Sequence, residues 1–282
     1  MKRTLLRDLV ILLIAAVLAP RGLAARRVDT PSPVDSPAIP AVDDPFYPDF
    51  DDLLDWLQDL AVDHPSIVDY RDIGDATHGS RDVVALKISD NVGDDEDEPA
   101  WAFTGIIHGS EQLGLRILLD LADELTTEYG SDSAITDAVD AYEIWLIFAL
   151  NPWGYDHDSS GGDRATGTRR NGASSSYPDT SGVDLARNYD FRWEHGGSTD
   201  PTDSRYRGPD PFSEDETEAI RDLFLEQRPL FGITYHQGND PDGGEIMRPW
   251  SGSGSDAPPD ADLLSDYADL FADWVHASRL GG

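Results

Sequence analysis

The chain has 282 residues, with 55 acidic against 21 basic side chains and a formal net charge of −34. That charge repels phosphate backbones and anionic lipid surfaces, which excludes nucleic acid and membrane surfaces as partners. Cysteine is absent, which excludes disulfides, thiolate metal ligands and a cysteine nucleophile.

Hydrophobic residues make up 39 % of the chain, enough for the core of one large domain or two small ones. The acid is spread along the chain and not gathered in a tail. A dispersed acidic surface suits concentrated salt, where screening removes self-repulsion, so a halophilic source is expected over a dedicated cationic partner.

The first segment has Lys2, Arg3 and Arg7, then the apolar run Leu9 to Ala19, then Ala24 and Ala25. This is the pattern of a secretory signal peptide over residues 1–25, and it implies a secreted, extracellular protein. The apolar run is short of the roughly 20 residues of a spanning helix, so no membrane association is expected beyond this segment. Residues 26–46, rich in Pro and Asp, read as a linker or pro-segment.

From residue 47 to 282 helical and strand patterns alternate. "FDDLLDWLQDLA" carries Leu53, Leu54, Leu57 and Leu60 at helical spacing. "SIVDYRDIG" and "DVVALKIS" read as two strands. "NVGDDEDEP" reads as a solvated acidic hairpin tip, with a calcium loop as the lesser alternative. "AWAFTGIIH" is a buried strand ending in His108, and "LGLRILLDLADELTTEYG" an amphipathic helix closed by Gly130. "YEIWLIFALNPWGY" is a buried strand running into a turn. "SEDETEAIRDLFLEQ" is a helix with Ser213 as N-cap. "LFGITYH" is a strand ending in His236, and "DADLLSDYADLFADWVHASRL" a last helix. The order predicts an α/β fold, an open mixed, largely parallel central sheet with helices on both faces.

In open α/β sheets ligands bind beyond the carboxyl ends of strands. Two strands ending in histidine, with Glu111 three residues after His108, therefore put a metal-binding donor set on one rim. Two histidines and a glutamate are a standard catalytic zinc set that leaves a position open for water. His-x-x-Glu by itself is a weak signal, and a chance polar rim is the competing reading.

Five further blocks, in order, resemble the zinc carboxypeptidase family, from about Tyr47 to the last residue. They are "GSRDVVALKIS", "NPWGYDHD", "TRRNG", "GVDLARNYDFRW" and "ITYHQ". The resemblance implies zinc held by His108, Glu111 and His236, with Asp184 hydrogen-bonded to the free ring nitrogen of His108. It implies that Arg169 stabilises the oxyanion of the scissile carbonyl and that Arg187 binds the substrate's terminal carboxylate. Arg170 and Arg192 compete for these two assignments, and surface ion pairing is the bland alternative. The activity implied is exported, zinc-dependent hydrolysis of C-terminal peptide bonds through a zinc-bound water, with a peptide or protein as substrate.

Ala186 stands where the family carries Asn, which removes one donor beside Arg187, and Ser110 stands where the family often carries Arg. The family's general-base Glu follows the helix after the third ligand. The resemblance therefore places it past Gly282 and implies a fold incomplete at its C-terminus, with Glu245 as a minor substitute. Two alternatives remain open: a catalytically deficient zinc- or peptide-binding fragment, and a zinc-dependent deacylase of N-acyl amino acids.

Overall fold

A computed structural model describes residues 47–94, 96–159, 168–172, 182–237, 247, 258 and 260–269. The chain divides into two compact units, residues 42–237 and residues 1–41 with 238–282. In the second unit residues 261–269 are helical, within the last helix expected from the sequence. The expected signal peptide and linker lie outside the described residues, as does Glu245.

The first unit opens with helix α1, Phe50–Asp63, which buries Phe50, Leu53, Leu57 and Leu60. Asp49 caps it by accepting from the backbone N–H of Asp52 at 2.8 Å. Strands β1 (Val68–Asp75), β2 (Asp82–Ile88), β3 (Ala100–Thr104), β4 (Glu143–Ile147) and β5 (Phe231–Thr234) form one sheet in the order β1-β2-β4-β3-β5. β1 with β2 and β2 with β4 are antiparallel, while β3 is parallel to both β4 and β5. The sheet is mixed as expected, and its parallel half carries the two histidines.

β3 and β4 are buried at every position, as the unbroken apolar runs predict for strands covered on both faces. One face packs Val83, Ala85, Ala102, Trp145 and Ile147 against Leu185, Ile220 and Leu223. The alternate residues, among them Val84, Leu86, Phe103, Ile144 and Leu146, point to the other face and are buried too. Each such side chain contributes about 1.5–3 kcal/mol of burial.

Helix α2, Leu113–Thr127, buries Leu115, Leu118, Leu121, Ala122 and Leu125. A helix the sequence reading passed over, α3 (Ser133–Val139), follows it, with Asp132 accepting from the backbone N–H of Ala134 at 2.9 Å. The expected turn after β4 winds directly into α4, Pro152–Ser159. Helix α5, Asp215–Gln227, starts one residue later than Ser213 predicts. Its N-cap is Glu214, whose side chain makes no cap hydrogen bond. A distant residue does that work: the hydroxyl of Thr77 accepts from the backbone N–H of Asp215 at 2.7 Å. Ser213 instead donates its hydroxyl to Glu214 Oε1 at 2.8 Å.

Candidate metal centre

The two histidines sit beyond strand ends and not on them. β3 stops at Thr104, and Ile106, at φ 44°, turns the chain so that His108 lies in the following loop. β5 stops at Thr234, short of His236. Because β3 and β5 are parallel neighbours, paired Thr104 to Thr234, both loops leave the same edge of the sheet.

Glu111 joins them. Its Oε1 lies 2.8 Å from Nδ1 of His108 and its Oε2 lies 2.7 Å from Nδ1 of His236. The two rings stand 4.9 Å apart. Ligand-type atoms of all three residues fall within 4.8 Å of one another. The side chains of His108 and Glu111 are 3 % and 12 % exposed, whereas that of His236 is 32 % exposed, so the group opens to solvent on the His236 side.

The other nitrogen of His108, Nε2, faces Oδ1 of Asp184 at 3.1 Å. Asp184 is fully buried. Its Oδ1 also accepts from the backbone N–H of Ala186 at 3.1 Å, and its Oδ2 accepts from Nε and Nη2 of Arg169 at 3.0 and 2.8 Å. Burial alone raises the Asp184 carboxyl, but His108 and Arg169 outweigh it and hold the group below its ordinary value. An anionic Asp184 fixes Nε2 of His108 as the donor and leaves Nδ1, which faces Glu111, as the nitrogen that could bind a metal.

Burial lowers the His108 pKa, and the carboxylates of Asp184 and Glu111 raise it further than that, to a net increase. Burial raises Glu111, while its hydrogen bonds to His108 and His236 bring it down to about 2. A half-buried carboxylate between two imidazole nitrogens is thus a site built for positive charge. The donor set fits zinc, which would compete with protons for these atoms.

Of the arginines, Arg169 lies in the site. With Nε and Nη2 engaged by Asp184, its Nη1 lies 3.5 Å from Nδ1 of His108 and 4.0 Å from Glu111 Oε1. Arg170 does not compete: it is buried and donates to the backbone carbonyls of Gly182 and Pro201 at 3.0 and 2.8 Å. Arg192 stacks over Phe191, with its guanidinium carbon 5.5 Å from the ring centre. Arg187, in the 3-10 turn Leu185–Arg187, donates only to the carbonyl of Ala186, at 3.0 Å, and has no carboxylate partner among the described residues. Burial lowers its pKa, with Arg205 and Arg169 pressing the same way against Asp184.

The "NPWGY" block supports the His108 loop from below. A Cβ on Gly109 would overlap the backbone of Gly154, and a Cβ on Gly154 would lie 2.6 Å from the side chain of Asn151. Asn151 Oδ1 accepts from the backbone N–H of Gly154 at 2.8 Å. Tyr155 donates its hydroxyl to the carbonyl of Pro48. Away from this site Asp90, Glu96 and Glu98 also converge, each half-buried, in the acidic turn after β2. There Asn91 donates to Asp90 and Glu96 in solvent-exposed hydrogen bonds.

Comparison with known proteins agrees with this geometry. The family model described as zinc carboxypeptidase matches residues 53–281. The chain is 33 % identical over 149 residues to a zinc carboxypeptidase of Saccharothrix mutabilis subsp. capreolus, a match that covers 52 % of this chain and 33 % of that protein. It is 29 % identical over 239 residues to carboxypeptidase B of Astacus astacus, covering 83 % and 74 %. It is 28 % identical over 235 residues to the inactive metallocarboxypeptidase ecm14 of Talaromyces stipitatus, covering 79 % and 38 %. The fold matches that of carboxypeptidase A from Helicoverpa armigera with a TM-score of 0.67 at 23 % identity, over 80 % of this chain and 53 % of that one.

Proposed function

Since the chain belongs to the zinc carboxypeptidase family, we propose that it is an exported zinc-dependent peptidase that trims residues from the C-termini of peptides. The observation that carries this reading is the convergence of His108, Glu111 and His236 at the edge of the parallel half-sheet, with Asp184 behind His108. Export rests on the charged and apolar N-terminal segment alone.

His108, Glu111 and His236 would hold the ion. Bound zinc supplies the Lewis acidity that activates water and polarises a carbonyl. The remaining work falls to side chains of this chain. Asp184 orients His108 and balances its charge. Arg169 turns Nη1 towards the ligands, where a guanidinium stabilises negative charge growing on a carbonyl oxygen. Arg187, half-buried and without a carboxylate partner among the described residues, suits a substrate carboxylate.

The test is direct. Purified protein should carry one zinc per chain and hydrolyse N-blocked dipeptides with a free carboxylate, and a chelator should stop it. Zinc without turnover would favour a second reading, a binding protein. That reading draws on Ala186, which offers no donor beside Arg187, and on the inactive relative.

A further inference from the structure

Asn171 is fully buried and is hydrogen-bonded through its backbone N–H and both polar atoms of its side chain. Its backbone N–H donates to the carbonyl of Val183 at 3.1 Å, and its Oδ1 accepts from the backbone N–H of Val183 at 2.8 Å. Its Nδ2 donates to Glu214 Oε2 at 2.7 Å and to Glu216 Oε2 at 3.1 Å. Glu214 is 5 % exposed and Glu216 is not exposed at all. Thr77 donates its hydroxyl to Glu216 Oε2 at 2.7 Å, which completes the cluster from the loop after β1.

Two buried carboxylates gathered on one amide are costly, and apolar side chains would fill the same space more cheaply. What the cluster holds gives it a purpose. Asn171 follows Arg169 by two residues, and Val183 precedes Asp184. The Asn171–Val183 pair therefore ties together the two backbone segments whose side chains form the Arg169–Asp184 contact. The segments meet closely: a Cβ on Gly182 would overlap Gly172, and Arg170 bonds the carbonyl of Gly182.

We propose that Asn171 is a positioning residue: anchored on Glu214 and Glu216 at the start of α5, it sets where Arg169 presents Nη1 to the reacting carbonyl. The catalytic part of this inference rests on the peptidase reading above. The effect is indirect, through placement of a guanidinium whose Nε and Nη2 are held by Asp184. Misplacing a catalytic group by about 1 Å can cost ~10²-fold in rate.

The experiment compares Asn171→Ala with Thr77→Val, which removes a hydrogen bond from the same Glu216 but does not touch the segment bearing Arg169. Two quantities are read: kinetics on an N-blocked dipeptide, and solvent exchange of the Arg169 Nε–H by NMR in the metal-free protein, assigned with Arg169→Lys. In Asn171→Ala, kcat should fall by about tenfold or more with KM within about twofold, as for loss of an interaction made in the transition state. Arg169 exchange should quicken by about tenfold while zinc content stays at one per chain. Thr77→Val, which loosens the anchor but keeps the Asn171–Val183 pair, should lose stability and change both readouts by clearly less than Asn171→Ala does. Unchanged exchange and kcat in Asn171→Ala, or equal effects in Thr77→Val, would overturn the proposal. If Asn171→Ala does not fold, Glu214→Ala removes the shorter of the two anchoring bonds, and the same exchange signal decides. A wild-type protein that neither holds zinc nor turns over would refute the peptidase reading alone, because Arg169 exchange in metal-free protein still reports on the clamp.

Discussion

Nε2 of His108 stands 3.1 Å from Oδ1 of a fully buried Asp184, and this pairing commits the opposite nitrogen of the ring to Glu111. Asp184→Asn would leave the ring free to choose its tautomer and would strip Arg169 of its counter-charge. Zinc affinity should drop by about 10–100-fold. Competition against a chromogenic chelator measures it, and an unaltered affinity would show that the pair does not govern the metal.

His236 is the most exposed of the three clustered residues, so its removal separates metal binding from folding. His236→Ala should bring zinc content from one per chain to near none. The metal-free melting temperature should stay within a few degrees of wild type, since little packing is lost. A variant that keeps its zinc would mean that another residue completes the set.

Arg187 has no carboxylate partner among the described residues. Arg187→Met keeps the apolar stem and deletes the charge. A charge-assisted hydrogen bond contributes about 1.5–3 kcal/mol, so KM for substrates with a free C-terminal carboxylate should rise by roughly ten- to a hundredfold. Thermal stability should hold or improve, because a half-buried charge is relieved of its desolvation cost. A KM that does not move would remove Arg187 from the substrate site.

Burial raises the Glu216 carboxyl from its ordinary 4.5 to about 7, with its hydrogen bonds to Thr77 and Asn171 opposing. Between those two values the folded protein keeps a proton that the unfolded chain has released. Its contribution to stability is therefore full below about pH 4.5 and declines as pH rises towards 7, by at most about 1.4 kcal/mol per unit. Glu216→Gln should flatten this slope in zinc-loaded protein and leave the variant relatively more stable at pH 8. Urea denaturation at pH 5, 6, 7 and 8 checks it, and parallel wild-type and variant curves would contradict the assignment.

With 55 acidic and 21 basic side chains, self-repulsion falls as salt screens it. The melting temperature should climb between about 0.1 and 2 M potassium chloride, over which the Debye length shrinks from ~10 Å to under ~3 Å. Scanning calorimetry across that series would refute the halophilic reading if the temperature fell or stayed level.

Much of the site was legible because its donors lie just past strands whose apolar runs are unmistakable. β3 and β5 announce themselves by composition, and parallel pairing then brings their outgoing loops together whatever the loops contain. Where the strands stop was not legible, since Gly105, Ile106 and Ile107 continue the apolar pattern of β3 and only the backbone at Ile106 breaks it. Helix α3 escaped notice because it is a single short stretch with modest periodicity, although Asp132 before Ser133 was a usable start signal. The cap of α5 was beyond sequence reasoning, for Ser213 has the right chemistry and the partner that serves is Thr77, more than a hundred residues away. Arg170 and Arg169 look alike in sequence. Only the carbonyls of Gly182 and Pro201 show which one is structural. Asn171, Glu214 and Glu216 gave no signal: the two buried carboxyl groups read like more of the acidic surface, and the amide like any polar loop residue.

The contact between Gly109 and Gly154 bears on how such a site can vary over generations. Each glycine is hemmed in by a different neighbour, the backbone of the other segment in one case and the Asn151 side chain in the other. Adding a methyl at Gly109 forces the loop carrying His108 away from the turn beneath it, one at Gly154 collides with Asn151 inside the turn, and no single change elsewhere makes room at both. A lineage drifting by one substitution at a time therefore has few exits from this pair: the loop and the turn must change together or stay as they are.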